Sequence, residues 1–232
     1  MEIHTLHPWN VTEAEAVRLQ RELAGRVNTS TPVTKCDLIA GADVSYNKYS
    51  TRVFAAVVVL RTADWSIVET RGVVGESHFP YVPGLLSFRE APVLLQAFAR
   101  VQSEPDVVML DGQGLAHPRR FGLACHIGLA LEKPCLGCAK TRLTGHFKDL
   151  GRKAGSTAPL VDRGQLVGKV VRTKDGVQPV FVSVGHKIDL DSAVEVVLAC
   201  ARGYRIPEPT RRAHHYVNAL RQAANEAGLA DH

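Results

Sequence analysis

Short unbroken apolar runs, separated by polar or glycine-rich breaks, alternate along this chain with stretches whose apolar residues recur three and four apart. The first kind reads as buried strand and the second as amphipathic helix. Thr12 and Glu15 stand at capping-box spacing ahead of Leu19, Leu23 and Val27, which predicts a helix over 12–27. Polar residues 28–35 end it. Strands are predicted over 38–45, 53–60 and 66–74, close enough in sequence to pair as an antiparallel meander. A loop stiffened by Pro80 and Pro83 precedes a helix running through Phe88, Leu94, Leu95 and Phe98. Next come a strand over 106–110, a helix over 121–131 and a strand over 135–139, a βαβ unit that implies parallel pairing. Residues 145–156 read as a polar, basic loop, 165–172 and 179–184 as two more strands, and 189–202 and 209–227 as the last helices. No repeat or compositional break divides the chain. The expectation is one α/β domain over 1–232, with a mixed central sheet and helices on both faces.

Charge adds a direction to this picture. Residues 1–100 carry 10 Lys+Arg against 10 Asp+Glu, so the whole net excess of +5 lies in 101–232. That asymmetry and a pI near 9.0 suit a polyanionic partner such as nucleic acid, although a solvated basic surface has the same composition. No signal-peptide pattern opens the chain, and its apolar runs are too short to span a bilayer. Five cysteines, an odd number, fit a reducing compartment, and the expectation is a cytoplasmic monomer. Cys135 and Cys138 have CxxC spacing without a second Cys/His pair, and they fall inside a predicted strand. They read as small core residues.

The chemistry centres on Asp111. It closes the apolar run Val107-Val108-Met109-Leu110 and opens the glycine-rich, cationic stretch from Gly112 to Arg120. An acid at the C-terminal edge of a buried strand lies where open α/β sheets hold ligands, although Asp-Gly is also a common turn pair. Asp43 follows Ala40-Gly41-Ala42 in an otherwise apolar strand, where a carboxylate is costly unless paired or metal-bound. Glu90 stands three residues after Ser87, so by pattern it either closes a capping box or joins the acids; Pro92 argues against a deep helical position there. His214, beside His215 on a late helix, is open between a surface role and a ligand role. The order of elements, three antiparallel strands, a helix, then parallel strands, resembles the ribonuclease H-like arrangement. Asp43, Glu90, Asp111 and His214 occupy the places where that fold carries its acids and a fourth ligand-type residue. Clustered carboxylates repel one another unless a cation sits among them, and Mg²⁺ suits oxygen ligands while leaving positions for water and phosphate.

Six motifs sharpen this. They are 40–45 (AGADVS), 80–90 (PYVPGLLSFRE), 111–120 (DGQGLAHPRR), 137–140 (GCAK), 184–186 (VGH) with 191–193 (DSA), and 203–211 (GYRIPEPTR). In this order they resemble the endonuclease V (deoxyinosine 3′ endonuclease) family over nearly the whole length. The resemblance implies a ribonuclease H-like fold and Mg²⁺-dependent hydrolysis, with Mn²⁺ as a substitute. It implies nicking at the second phosphodiester 3′ to a deaminated purine, leaving 3′-OH and 5′-phosphate. It casts Asp43 and Asp111 as metal ligands and Glu90 and His214 as the other catalytic residues, with Glu90 also a candidate for the metal. Cys135 and Cys138 depart from the β-branched residues common in the family, and the fourth position varies there between His and an acid.

Further roles follow from this likeness and from local chemistry. Tyr81, between Pro80 and Pro83, is expected to wedge into the base stack and help extrude the damaged nucleotide. Backbone groups at Gly84, Leu86, Gly112 and Gly122, with Gln113, are candidates to read the extruded base. His117 is a candidate for base or phosphate, or merely a cap before Pro118. Lys140 is expected to hold a phosphate or stabilise developing charge. Arg119, Arg120, Arg142, Arg211 and Arg212 are candidates to grip the backbone. His126 reads as a core histidine, and His186 has no assigned role. The rival functions are the same chemistry on inosine in RNA and a non-catalytic nucleic-acid-binding module. The second predicts loss of an acid, and Asp43, Glu90 and Asp111 are all present.

Overall fold

The computed structural model describes residues 1–47 and 49–226; position 227, where the last predicted helix was expected to end, lies outside the described residues. Eight strands form one mixed sheet in the order β3-β2-β1-β4-β5-β8-β7-β6. The meander is β1 (Leu38–Ser45), β2 (Arg52–Arg61) and β3 (Ile67–Glu76), all antiparallel. β4 (Val107–Leu110) pairs parallel with β1 and with β5 (Cys135–Ala139), so Ala42, Leu110 and Gly137 lie side by side near the C-terminal ends of three parallel strands. β8 (Val180–His186) then runs antiparallel to β5, and β7 (Gln165–Val171) and β6 (Thr157–Asp162) complete the sheet. This is a ribonuclease H-like arrangement.

Strand alternation sorts the core into two layers. Ala40, Ala42, Val108 and Leu110 face the side covered by α2 (Leu86–Ala99) and α3 (Leu123–Leu131). Ile39, Val107 and Met109 face the other, with Val194 and Val197 of α4 (Leu190–Ala201). α5 (Glu208–Glu226) covers the meander end, setting Val217 and Ala224 against Phe54 and Ala56. α1 (Glu13–Ala24) begins with the expected Thr12–Glu15 capping box and lies outside α2 and α3, with Leu19 near Phe88 and Leu23 near Phe121. Gly41 makes one close approach possible: a Cβ there would stand 2.0 Å from the carbonyl oxygen of Pro209. Only a bare backbone lets the start of α5 touch β1.

Two local expectations need correction, and one strand lies where no element was expected. Ser87 and Glu90 form no capping box, because α2 starts at Leu86 after Leu85, which supplies no side-chain cap. Pro92 is inside that helix, which runs on to Ala99 despite the hydrogen bond proline forfeits. β6 was not anticipated: Pro159 argues against a strand, but β6 is the sheet's edge, where proline is tolerated. It joins β7 through Arg163 and Gly164, both at positive φ (52° and 76°), the geometry of a tight hairpin.

Candidate functional site

The parallel strands bring the acids together. Asp43 sits one residue past Ala42 on β1, and Asp111 one residue past Leu110 on β4; the Asp111 N–H donates to the Ala42 carbonyl at 3.2 Å. From α5, the His214 Nδ1 lies 2.7 Å from Asp43 Oδ2. Asp43, Asp111 and His214 each offer one ligand atom, and these atoms all lie within 4.8 Å of one another. Asp43 is only 9% exposed. Burial, then the Asp111 charge, push its carboxyl above the usual range, while His214 and Lys140 pull it back. Two self-repelling oxygen donors and one imidazole nitrogen, held this close, fit a divalent cation.

Asp111 and His214 each have an outer partner. Lys140, just past β5, ion-pairs with Asp111. Asn218, one turn along α5 from His214, approaches its Nε2 at 3.1 Å and accepts from the Ser45 hydroxyl at 3.3 Å. Glu90 stands beside this trio rather than within it. Its Oε1 accepts from the Tyr46 hydroxyl at 2.8 Å. Desolvation, reinforced by the Asp43 and Asp111 charges, pushes the Glu90 carboxyl up to about 7 against the Tyr46 hydrogen bond. Arg89 supports Tyr46 from behind: its guanidinium lies 4.7 Å from the ring centroid and donates to the carbonyls of Phe79 (2.7 Å) and Ser50. Sequence reasoning passed over Tyr46, Arg89 and Asn218. Asn218 had a visible signal, its spacing four residues after His214.

A cavity of about 470 Å³ opens directly beside the acids, with Glu90, Asp111 and Lys140 on its wall. Tyr81, Pro83, Gly84, Leu86, Gly112, Gln113, His117 and Gly122 also line it. These are eight of the ten residues that the sequence suggested for substrate. Pro80 lies instead on a neighbouring groove, and Arg119 is outside the lining. The Arg119 guanidinium donates to the Gly84 carbonyl at 2.6 Å and to Gln20, so it ties the Tyr81 loop to α1. Gly84, at φ +81°, makes the turn that presents this carbonyl. The His117 Nε2–H also donates to it at 2.9 Å, while the His117 Nδ1 accepts from the Arg119 N–H at 3.1 Å. Burial drives the His117 imidazole down to about 4, so it lines the cavity as a neutral, committed group. Gln20, Ser87 and Leu123 also line the cavity and were not singled out from sequence. Gln20 alone carried a hint, as a polar residue next to Leu19 on the apolar face of α1.

Tyr81 is 43% exposed at the cavity mouth, its ring 6.4 Å from that of Tyr46. Arg142 also lines the cavity. The other arginines expected to grip a backbone have intramolecular partners: Arg120 pairs with Asp162 at 2.8 Å, and Arg211 and Arg212 both clasp Glu208 at 2.7 Å. Cys135 and Cys138 are buried on opposite layers of the core and cannot share a metal. His186 is buried, with Nδ1 accepting from the Asn28 N–H at 3.2 Å and Nε2 3.3 Å from Glu132. Among the described residues, no helix is long and apolar enough to cross a membrane.

Known proteins resemble this chain closely. A family profile described as Endonuclease V matches residues 21–215. The Endonuclease V of Dehalococcoides mccartyi is 52% identical over 214 residues, covering 92% of this chain and 96% of that protein. The crystal structure of Endonuclease V from Streptomyces avermitilis superposes with a TM-score of 0.88 at 46% identity, covering 93% of this chain and 96% of that one. Ciona intestinalis Endonuclease V, solved with a 24-mer DNA containing an inosine followed by a ribo-adenosine, gives 0.79 at 26% identity, covering 90% and 98%.

Proposed function

We propose, from the premise that this chain belongs to the Endonuclease V family, that it is a divalent-metal-dependent endonuclease nicking DNA at the second phosphodiester 3′ to deoxyinosine. The observation that carries the reading is the juxtaposition of the Asp43–Asp111–His214 group with the cavity beside it. A nuclease that recognises a base at one place and cuts at another needs both, side by side. Asp43 and Asp111, with His214 alongside, would hold Mg²⁺ or Mn²⁺; such an ion supplies Lewis-acid stabilisation of charge on a phosphoryl oxygen. Lys140, paired with Asp111, places a second cation where that charge develops. Glu90, raised to about 7, exchanges its proton near neutral pH, so it suits proton transfer to or from a water or a leaving oxygen.

Base recognition belongs to the cavity. Its volume falls within the range of small-molecule pockets and accommodates one nucleobase. Tyr81, exposed at the rim on a loop braced by Pro80 and Pro83, is placed to fill the gap left by an extruded nucleotide. Gly84, Leu86, Gly112 and Gly122 offer backbone groups along the wall, and Gln113 and His117 add side-chain surface. The same machinery on inosine in RNA is the second reading. The DNA bound to the Ciona protein, with a ribo-adenosine after the inosine, favours keeping it.

The test uses matched duplexes bearing deoxyinosine, adenine in its place, and an inosine-containing RNA, each with Mg²⁺ and with EDTA. The expected result is a nick one nucleotide beyond the lesion's own 3′ phosphodiester, absent in EDTA and absent in Asp111→Asn. Equal cutting of the adenine duplex, or undiminished cutting in EDTA, refutes the proposal. Cutting of the RNA alone selects the second reading.

A further inference from the structure

Ser87 lines the cavity and is 4% exposed, and its hydroxyl is part of a hydrogen-bonded chain that runs away from the site. Its Oγ lies 3.2 Å from His126 Nδ1; His126 Nε2 lies 2.7 Å from His7 Nε2; His7 Nδ1 lies 2.8 Å from the carbonyl oxygen of Pro8. The direction of every proton follows from the last link. A carbonyl oxygen can only accept, so His7 Nδ1 carries the hydrogen. Burial drives both imidazoles below their usual range, His126 far below, so each ring carries one N–H. His7 Nε2 is then a bare lone pair, and His126 must donate to it from Nε2. His126 Nδ1 is in turn a bare lone pair, and Ser87 must donate to it. The only hydroxyl hydrogen of Ser87 is thereby committed inward, and toward the cavity its oxygen can only accept.

Resting on the deoxyinosine reading above, we infer that Ser87 is a specificity-determining acceptor for the N1–H of a 6-oxopurine, held in that state by His126 and His7 as positioning residues. The neighbouring backbone completes the pattern. Leu86 and Ser87 open α2, where N–H groups lack intrahelical partners, and Leu85 supplies no side-chain cap. The wall therefore sets donors beside an acceptor. Hypoxanthine presents the complement, an O6 acceptor next to an N1–H donor. Adenine presents the reverse, an N6 donor next to a bare N1, and would bring lone pair against lone pair at Ser87. Guanine shares the lactam edge, so this device separates hypoxanthine from adenine and leaves guanine to be excluded elsewhere. The relay also explains a conspicuous cost: two buried histidines are set among Trp9, Phe88 and Phe121, with ring centroids 4.9 to 5.2 Å from His126. Asparagine or threonine could satisfy a serine hydroxyl, but only a ring locked by a fixed acceptor behind it imposes the direction.

Two measurements decide this. Long-range nitrogen–proton NMR on metal-free protein reads histidine tautomers directly; His7 as the Nδ1–H form and His126 as the Nε2–H form are expected. His126 in the Nδ1–H form overturns the relay. Fluorescence anisotropy in EDTA compares wild type with Ser87→Ala on duplexes carrying inosine or adenine at one position. Affinity for the inosine duplex should fall about ten-fold while that for the adenine duplex holds, since the lost hydrogen bond is read only by N1–H. An equal loss on both duplexes, or an unchanged preference, overturns the base-reading role. A wild type without preference for inosine defeats the proposed function and the base-reading role together, while the nitrogen shifts still judge the relay alone.

Discussion

Gly41→Ala tests the contact that places His214 over the acids. The substitution adds one carbon, which would stand 2.0 Å from the Pro209 carbonyl oxygen, with the carbonyl carbon at 2.1 Å and the Cα at 2.7 Å. All three are backbone atoms, so no side-chain rotation relieves the clash. Real Cβ atoms essentially never approach closer than 3.0 Å, so the start of α5 must retreat from β1 by at least the 1.0 Å between those values. His214 rides on the same helix. A retreat of that size takes its 2.7 Å contact with Asp43 out of hydrogen-bonding range. Overpacking of this kind costs about 1–3 kcal/mol. At about 2–4 °C per kcal/mol for a chain of this size, the melting temperature should fall by roughly 2–12 °C. Nicking should fall further, by about 10²-fold, because a displacement of about 1 Å at a reacting centre costs that much. The assay pairs thermal unfolding with single-turnover nicking of an inosine duplex. Gly25→Ala is the control: its φ is −69° and its nearest added contact is 3.7 Å, so both readouts should match wild type. If Gly41→Ala melts within a degree of wild type and nicks normally, the argument that β1 and α5 assemble the site by backbone contact is wrong.

Glu90 makes a pH prediction with a definite sign. Its carboxyl is raised from 4.5 to about 7 in the folded chain, so between those values the unfolded chain has lost the proton that the folded chain keeps. Stability in EDTA should therefore decline as pH rises through that window. Asp43 is shifted the same way, so the diagnostic is the difference: urea midpoints at about pH 5 and 8 should diverge less in Glu90→Gln than in wild type. Equal divergence would show that Glu90 is not held protonated by its surroundings. Tyr81→Ala should weaken binding to an inosine duplex by the worth of one stacking contact, about 1–3 kcal/mol. It should leave the salt-dependent affinity for undamaged duplex nearly unchanged. An equal loss on both would reduce Tyr81 to a packing residue of its loop.

How much of this was legible in the sequence depends on how far apart the cooperating residues lie. Asp43 and Asp111 could be read because each interrupts or ends an apolar run, and a carboxylate in that setting needs a reason whatever the fold. Two parallel strands then bring such positions together automatically, through the pairing of Ala42 with Leu110. The meander, the βαβ unit and the two-sided core were legible for the same reason, since each follows from local period and short connection. β6 escaped because a proline that excludes a central strand is harmless at an edge, and being at the edge is a property of the sheet, not of residues 157–162.

The side chains that refine the site were hidden more deeply. Nothing local to Ser87 indicates which way its hydroxyl points. That direction is decided by His126, 39 residues away, which is decided in turn by His7, 119 residues further back. Gln20, 64 residues from Gly84, donates to its carbonyl, and Arg119 supports the same group from another segment. Groups that carry charge to the reacting centre are exposed as anomalies by their own setting, because burial without compensation is expensive at once. Groups that only orient a neighbour look ordinary alone, a serine on a helix or a histidine among aromatics. Their meaning lies in a hydrogen-bond direction that requires both ends of the chain of contacts. Of two residues lining this cavity, the one whose hydrogen is committed inward is the stronger candidate for discriminating bases, because its partner must supply what it lacks.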